Sequence, residues 1–205
     1  MFLFSTSKNC VSAKELERQL GITYKTAWRI SKQIRLLFKQ GKNLLSNTVE
    51  IDETYIGGKH KGKRGRGSEN KTPIIGLAER SGEIRVKVTA DIKSSTIHSI
   101  LRESVNIGIN IMSDEYHVYS GLAVAGFNHN TVNHGQKNWV KNNEIHTNTI
   151  EGFWSQFKRS LNGTYHSVSP KYLQNYLNEF VFRYNLREYP NPIFSKVLCL
   201  AVKRV

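Results

Sequence analysis

The sequence predicts an α/β fold, a mixed sheet flanked by helices and preceded by a small helix-turn-helix segment. Three observations predict it. Strand-like runs come three in succession, followed by a helix, a fourth strand, a short helix and a fifth strand. Two long amphipathic segments follow them. The first forty residues stand apart from this order and read as a pair of short helices.

The elements follow in chain order. Ser12 is a candidate N-cap, with Glu15 three residues on to complete a capping box. Leu16 and Leu20 then share a face, and Gly21 stops the helix. Thr23 caps a second helix, running to about Gln40, in which Ala27, Ile30, Ile34 and Leu37 recur at helical spacing. Tyr24, Lys25, Arg29, Lys32 and Arg35 give this helix the basic character of a DNA-reading helix-turn-helix, although short helix pairs also occur as plain structure. Gly41 to Asn47 reads as a linker, so the expected division is residues 1–47 and 48–205.

Val49–Ile56 is the first strand. The run Gly57 to Lys71 is too rich in glycine and charge to pack, and Lys61, Lys63, Arg64 and Arg66 make it either a phosphate-binding arm or a solvated loop. Ile74–Glu79 and Glu83–Ala90 form a hairpin across Arg80-Ser-Gly82. Ser95–Asn106 is a helix with Ile97, Ile100, Leu101 and Val105 on its apolar side. Ile109–Met112 is a short buried strand ending at Asp114, Tyr116–Val124 a short helix, and Asn130–Val132 the core of a fifth strand. Thr147–Leu161 and Pro170–Leu186 are the amphipathic helices, the second opened by a proline whose missing N–H is not needed there. This order is compatible with the ribonuclease H-like fold, in which catalytic carboxylates come from the first strand, the end of the fourth and a late helix.

Composition narrows the function. The 205 residues, 39% hydrophobic and 10% aromatic, suffice for one full core with a small appendage and exclude compositional disorder. Thirty Lys and Arg against 16 Asp and Glu give a formal charge of +14, which calls for a polyanion. Nucleic acid is expected ahead of an acidic membrane surface, because no segment approaches about 18 consecutive apolar residues. Met1-Phe-Leu-Phe4 has no signal-peptide core behind it, and Cys10 and Cys199 make neither a disulfide framework nor a zinc ribbon. A cytoplasmic, nucleoid-associated protein is expected.

Three acidic positions stand out against this basic background. Asp52 interrupts the apolar run of the first strand, where a charge is disfavoured unless something compensates it. Asp114 closes the fourth strand, a place where Asp is also an ordinary turn former. Glu151 lies in the first amphipathic helix. Two strand carboxylates and one helix carboxylate point to Mg²⁺- or Mn²⁺-dependent chemistry on nucleic-acid phosphodiesters, with two ions shared among hard oxygen ligands. Asn148 shares a helix face with Glu151 and competes with it as third ligand. Glu50 shares the Asp52 face and is a minor competitor; Glu53 and Glu115 alternate to the other face and are expected in solvent. Trp154 is either a core residue or a platform for an unpaired base. Glu179 is expected to partner a cation. His134, His146 and His166 lack the thiolates and spacing of a zinc site.

Val49-Glu-Ile-Asp-Glu-Thr-Tyr-Ile-Gly-Gly-Lys59, Ser113-Asp-Glu-Tyr116, Val132-Asn-His-Gly135 and the block from His146 to Arg159 occur in one chain with Gly163-Thr-Tyr-His166 and Glu179-Phe-Val-Phe-Arg-Tyr-Asn185. Together, from about Ser12 to Arg187, they resemble the bacterial insertion-sequence transposases of the DDE class related to Merlin elements, the ISXO-type group. The resemblance implies a ribonuclease H-like core that cuts DNA at transposon ends and joins the freed 3′-hydroxyls to target DNA. It implies Asp52, Asp114 and Glu151 as catalytic metal ligands, Glu151 following Asp114 by 37 positions (151 − 114). It also implies that Lys158, two turns beyond Glu151 and followed by Arg159, holds a phosphate beside the metals. DNA partners are then the terminal inverted repeats and target, and bringing two ends together calls for a homodimer or higher assembly on DNA. Many members carry a cysteine-rich zinc ribbon ahead of the helix-turn-helix. None precedes Ser12 here, which leaves a truncated or decayed copy, binding DNA without cutting it, as an alternative. A structure-selective nuclease on the same fold is another.

Overall fold

A computed structural model describes residues 1–7, 9–57, 71–132, 146–189 and 193–203. Their contacts divide the chain into two compact units. One comprises residues 41–155; the other combines 1–40 with 156–205, so that the division falls within a helix. The expected boundary at residue 47 was one of function, and the compact units are drawn differently: both ends of the chain share a unit.

The unit of residues 41–155 holds a five-stranded mixed sheet: β1 (Val49–Ile56), β2 (Thr72–Glu79), β3 (Ile84–Val88), β4 (Asn110–Asp114) and β5 (Asn128–Val132), in the order β3-β2-β1-β4-β5. The first three strands form an antiparallel meander, while β4 runs parallel to β1 and β5 parallel to β4. The expected mixed sheet flanked by helices is therefore present, and its strand order is compatible with the ribonuclease H-like fold. Val49, Ile51, Ile75 and Leu77 on one face join Ile97, Ile100 and Leu101 of the helix Ser94–Ser104, here α4 in chain order, in a single core. Leu45 belongs to the same core and its N–H donates to the Ser104 carbonyl at 2.8 Å, so the end of the expected linker is packed structure.

The long helix α5 (Asn148–Thr164) begins in this unit, and Ile150, Phe153 and Trp154 on its first turns are buried. Gly76, opposite Asp52 in the β1–β2 ladder, is what lets α5 lie so close. A Cβ at Gly76 would stand 2.7 Å from Ile150 Cδ1 and nearer still to the Trp154 ring. Trp154 is thus a core residue, 4% exposed, and has no free face for a base.

The second unit packs α1 (Phe2–Thr6), α2 (Ala13–Leu20) and α3 (Tyr24–Arg35) with the end of α5, with α6 (Pro170–Asn185) and with α7 (Ile193–Val202). The capping signals hold: Ser12 accepts from the Glu15 N–H, Thr23 from the Thr26 N–H, and Gly21 turns the chain at φ +63°. Phe4, Val11, Leu16, Ala27, Ile34, Phe38 and Val197 form its core.

Some expectations fail locally. The second helix ends at Arg35, short of Gln40. Tyr116–Val124 is a 3₁₀ turn at His117–Tyr119 followed by turns, because Ser120 is extended and Gly121 takes φ +88°, which interrupts any helix. The short α1 and the apolar α7 were not anticipated.

Candidate active site

Strand pairing delivers the first two carboxylates to one place. β1 and β4 are parallel neighbours in the register Val49↔Ile111 and Glu50↔Met112. The paired register ends there, two residues short of Asp52 and of Asp114 on the two strands, and the Asp114 charge acts on Asp52. Asp114 sits at the C-terminal end of β4, and its Oδ1 accepts the Tyr116 N–H at 3.0 Å. That turn holds the carboxylate while leaving it half-buried.

The third carboxylate arrives on α5. Thr147 Oγ1 donates to Glu151 Oε1 at 2.7 Å, which fixes the side chain near the helix start. The start itself is held by Glu50. Its carboxylate is fully buried and accepts the N–H groups of Thr149 and Ile150 at 2.8 and 3.1 Å, together with the Thr149 hydroxyl at 3.0 Å. First-turn N–H groups have no partners within a helix, and a carboxylate there also meets the positive end of its dipole. Arg80 donates to Glu50 at 3.1 Å, and His146 Nδ1 lies 3.1 Å from the same oxygen. Glu50, considered from sequence as a ligand, is instead the anchor that sets α5 against β1. The clue available in the sequence was the one that marked Asp52, a charge inside an apolar strand.

Electrostatics ties the acidic positions together. The Asp52 carboxyl is pushed up to about 7, first by burial, then by the nearby charges of Glu53 and Asp114 and, more weakly, of Glu151. Glu53 corrects an expectation. It is 8% exposed, not solvated, and accepts the Tyr119 hydroxyl at 2.5 Å. The face opposite Asp52 is the α4 core, so a carboxylate on it has to be paired. Glu115 is exposed, as expected.

Among the described residues no three His, Cys, Asp or Glu side chains converge closely enough to hold a metal as they stand. Burial first, then Glu53 and Asp114 and more weakly Glu151, disfavour the charged form of Asp52. The donor chemistry, hard carboxylate oxygens with surplus negative charge, suits a hard dication. Asn148 is exposed on the first turn of α5. Lys158 and Arg159 are exposed further along α5, where the chain has entered the other unit, and Tyr24, Lys25 and Arg29 are exposed on α3. Glu179 pairs with Arg35, as a cation partner should. Lys61, Lys63, Arg64, Arg66 and His134 lie outside the described residues.

Comparison with known proteins gives this geometry a family. The chain is 29% identical over 189 residues to an uncharacterized protein in transposable element ISH50 of Halobacterium salinarum, covering 84% of this chain and 64% of that relative. The match thus spans less than two thirds of that relative's length. An uncharacterized transposase-like protein of Haemophilus influenzae is 28% identical over 106 residues, 52% of this chain and 84% of the relative. A simian T-cell lymphotropic virus intasome structure, solved with the PP2A regulatory subunit B56 gamma, covers 79% of this chain and 57% of its own at 14% identity and a TM-score of 0.41. The ISXO2-like transposase domain matches residues 44–185, which contain Asp52, Asp114, Glu151 and every strand of the sheet. By that match the chain belongs to the family of ISXO2-like transposase domains.

Proposed function

We propose that this protein is the DNA transposase of an insertion sequence, cutting at the element's terminal inverted repeats and joining the ends to target DNA. The observation that carries the reading is the match of residues 44–185 to the ISXO2-like transposase domain, a span that contains Asp52, Asp114 and Glu151. In this reading Asp52 is the central ligand, with Asp114 and Glu151 flanking it, and the set holds Mg²⁺ or Mn²⁺. Glu151 is preferred to Asn148 because a carboxylate supplies charge to a hard dication that an amide cannot. Two bound ions supply positive charge to the attacking and leaving oxygens of an in-line displacement.

The chain's own residues do the rest. Glu50 and Thr147 hold α5 and Glu151 in register with β1. Water attacks the phosphorus at the transposon end and displaces the 3′-oxygen; that 3′-hydroxyl then attacks a target phosphodiester and displaces its 3′-oxygen in turn. No protein nucleophile takes part. Residues 1–47 read DNA through Tyr24, Lys25 and Arg29, residues 48–205 perform the chemistry, and Lys158, Arg159 and the 57–71 segment hold phosphates. A homodimer or larger assembly on DNA joins two ends, in the cytoplasm at the nucleoid. No helix among the described residues is long and apolar enough to cross a membrane.

The test is strand cleavage by the purified chain on a duplex carrying its element's terminal repeat, with Mg²⁺ or Mn²⁺. Asp52→Ala and Asp114→Ala should each lower cleavage at least about a hundredfold while duplex binding persists. Cleavage that survives either change would sink the metal-site assignment. End binding without any cleavage would favour the decayed copy. Cutting of flaps or junctions regardless of terminal sequence, with no strand transfer, would favour the nuclease.

A further inference from the structure

Within the helical unit, the first turns of α2 and α3 and the α5–α6 turn surround a groove of about 910 Å³, a size usual for ligand sites, roughly 300–1,000 Å³. Tyr24, Trp28, Tyr172 and Tyr176 line it. The Trp28 and Tyr172 rings meet edge to face with centroids 5.2 Å apart. Lysines stand over these rings, Lys14 within the lining of the groove and Lys32 and Lys171 beside it. Lys32 Nζ lies 5.6 Å from the Trp28 centroid and 5.3 Å from that of Tyr172; Lys171 lies 5.7 Å from Tyr172, and Lys14 lies 5.1 Å from Tyr24. The one carboxylate in the lining, Glu15, is already engaged by Arg18 and Gln19.

His166 adds a second mark. It borders the groove, exposed, and ends α5 in the left-handed region at φ +59°, where its N–H donates to the Leu161 carbonyl at 3.0 Å. Glycine is the usual residue at such a helix end, and a side chain there costs roughly 1 kcal/mol.

An aromatic wall edged by ammonium groups offers two things at once, a surface for stacking and countercharge for phosphate. Bases inside a duplex are stacked on each other and have no free face for the wall. A base without a partner has one, and stacking on an aromatic side chain is worth about 1–3 kcal/mol. We propose that this groove binds an unpaired nucleotide of single-stranded DNA, the base against the Trp28–Tyr172 wall and the phosphates on Lys14, Lys32 and Lys171. The inference stands independently of the catalytic reading, since a chain that never cuts DNA would still bind the strand.

The experiment uses the full chain in chelator. An oligothymidylate carrying 5-iodouracil is photocrosslinked to the native protein and the adducts are mapped; binding of labelled single strand and duplex is followed by anisotropy. Crosslinks should fall on Trp28, Tyr172, Tyr176 or His166. Tyr172→Leu, which keeps an apolar contact with Trp28, should weaken single-strand binding about tenfold and duplex binding by less than about twofold, and Tyr172→Phe should restore it. Crosslinks elsewhere, or duplex binding weakened as much as single-strand binding, would overturn the proposal. If Tyr172→Leu fails to fold, the crosslink map on the native chain decides by itself.

Discussion

Asp52 carries the cost of the site. Its carboxyl, ordinarily near 3.8, is pushed up to about 7 by burial and by the neighbouring carboxylates. The folded chain therefore keeps a proton that the unfolded chain releases at about pH 4. The stability linked to that proton is fully present below about pH 4 and is lost as pH rises through about 7. In chelator, Asp52→Asn should leave the urea midpoint nearly unchanged at about pH 4 and stabilise the protein by about 1–3 kcal/mol at about pH 8, a range discounted for the partial exposure of the side chain. A midpoint that does not move at the higher pH would show that neither burial nor the neighbouring carboxylates raise Asp52. The cysteines give a second check at this scale. Cys10 is buried and its thiol is pushed up by burial and by Glu179, whereas Cys199 is exposed. A thiol reagent should modify Cys199 promptly and Cys10 only on unfolding, as peptide mapping after a short pulse would reveal.

At the scale of elements, the seating of α5 on the sheet matters most, because that helix brings Glu151 to β1. Glu50 and Gly76 secure it in different ways, one by accepting the free N–H groups and the other by having no side chain. Glu50→Ala would leave those donors and Arg80 without their buried carboxylate and should cost about 3–5 kcal/mol, with faster amide exchange at residues 148–151. Gly76→Val should displace Trp154 and Ile150 and lower cleavage along with stability, whereas a surface change such as Glu115→Gln should do neither. The same elements show what pattern alone can and cannot reveal. Val49–Ile56 was legible to the residue from its apolar run, and α2 and α3 from their caps and Gly21. Glu53 was misplaced because alternation separates two faces without saying that both are covered. The helix expected after Asp114 shrank to a single turn, since spacing of apolar residues says nothing of the backbone that Gly121 adopts. At five residues α1 is shorter than any helical repeat can reveal.

At the scale of the molecule, residues far apart in sequence close the helical unit. Arg35 Nε donates to Glu179 Oε2 at 2.7 Å across 144 positions, with both side chains almost wholly buried. The guanidinium also donates to the Val11 carbonyl and the Tyr165 hydroxyl and lies 4.1 Å from the Tyr176 ring centroid. Arg35→Met would strand a buried carboxylate and should cost about 3–5 kcal/mol. Adding Glu179→Leu should recover most of the loss, a coupling that a double-mutant cycle in urea measures. Equal losses in the single and double variants would mean that shape rather than charge holds the unit. Because these partners come from both ends of the chain, residues 1–40 form their compact unit together with residues 156–205 and not alone.

The sequence by itself determined where the carboxylates fall along the chain, where the five strands and the longer helices of the sheet unit lie, and that the chain is strongly basic, for these follow from local periodicity, capping and charge. Only the tertiary structure decided that β4 lies parallel against β1, which brings the Asp114 charge to bear on Asp52. It also decided that Glu50 anchors a helix, that Trp154 is core, and that aromatic residues from α3 and α6 share one groove. Pairing and burial depend on contacts across many tens of residues and on which polar groups lose water, and no local pattern encodes either.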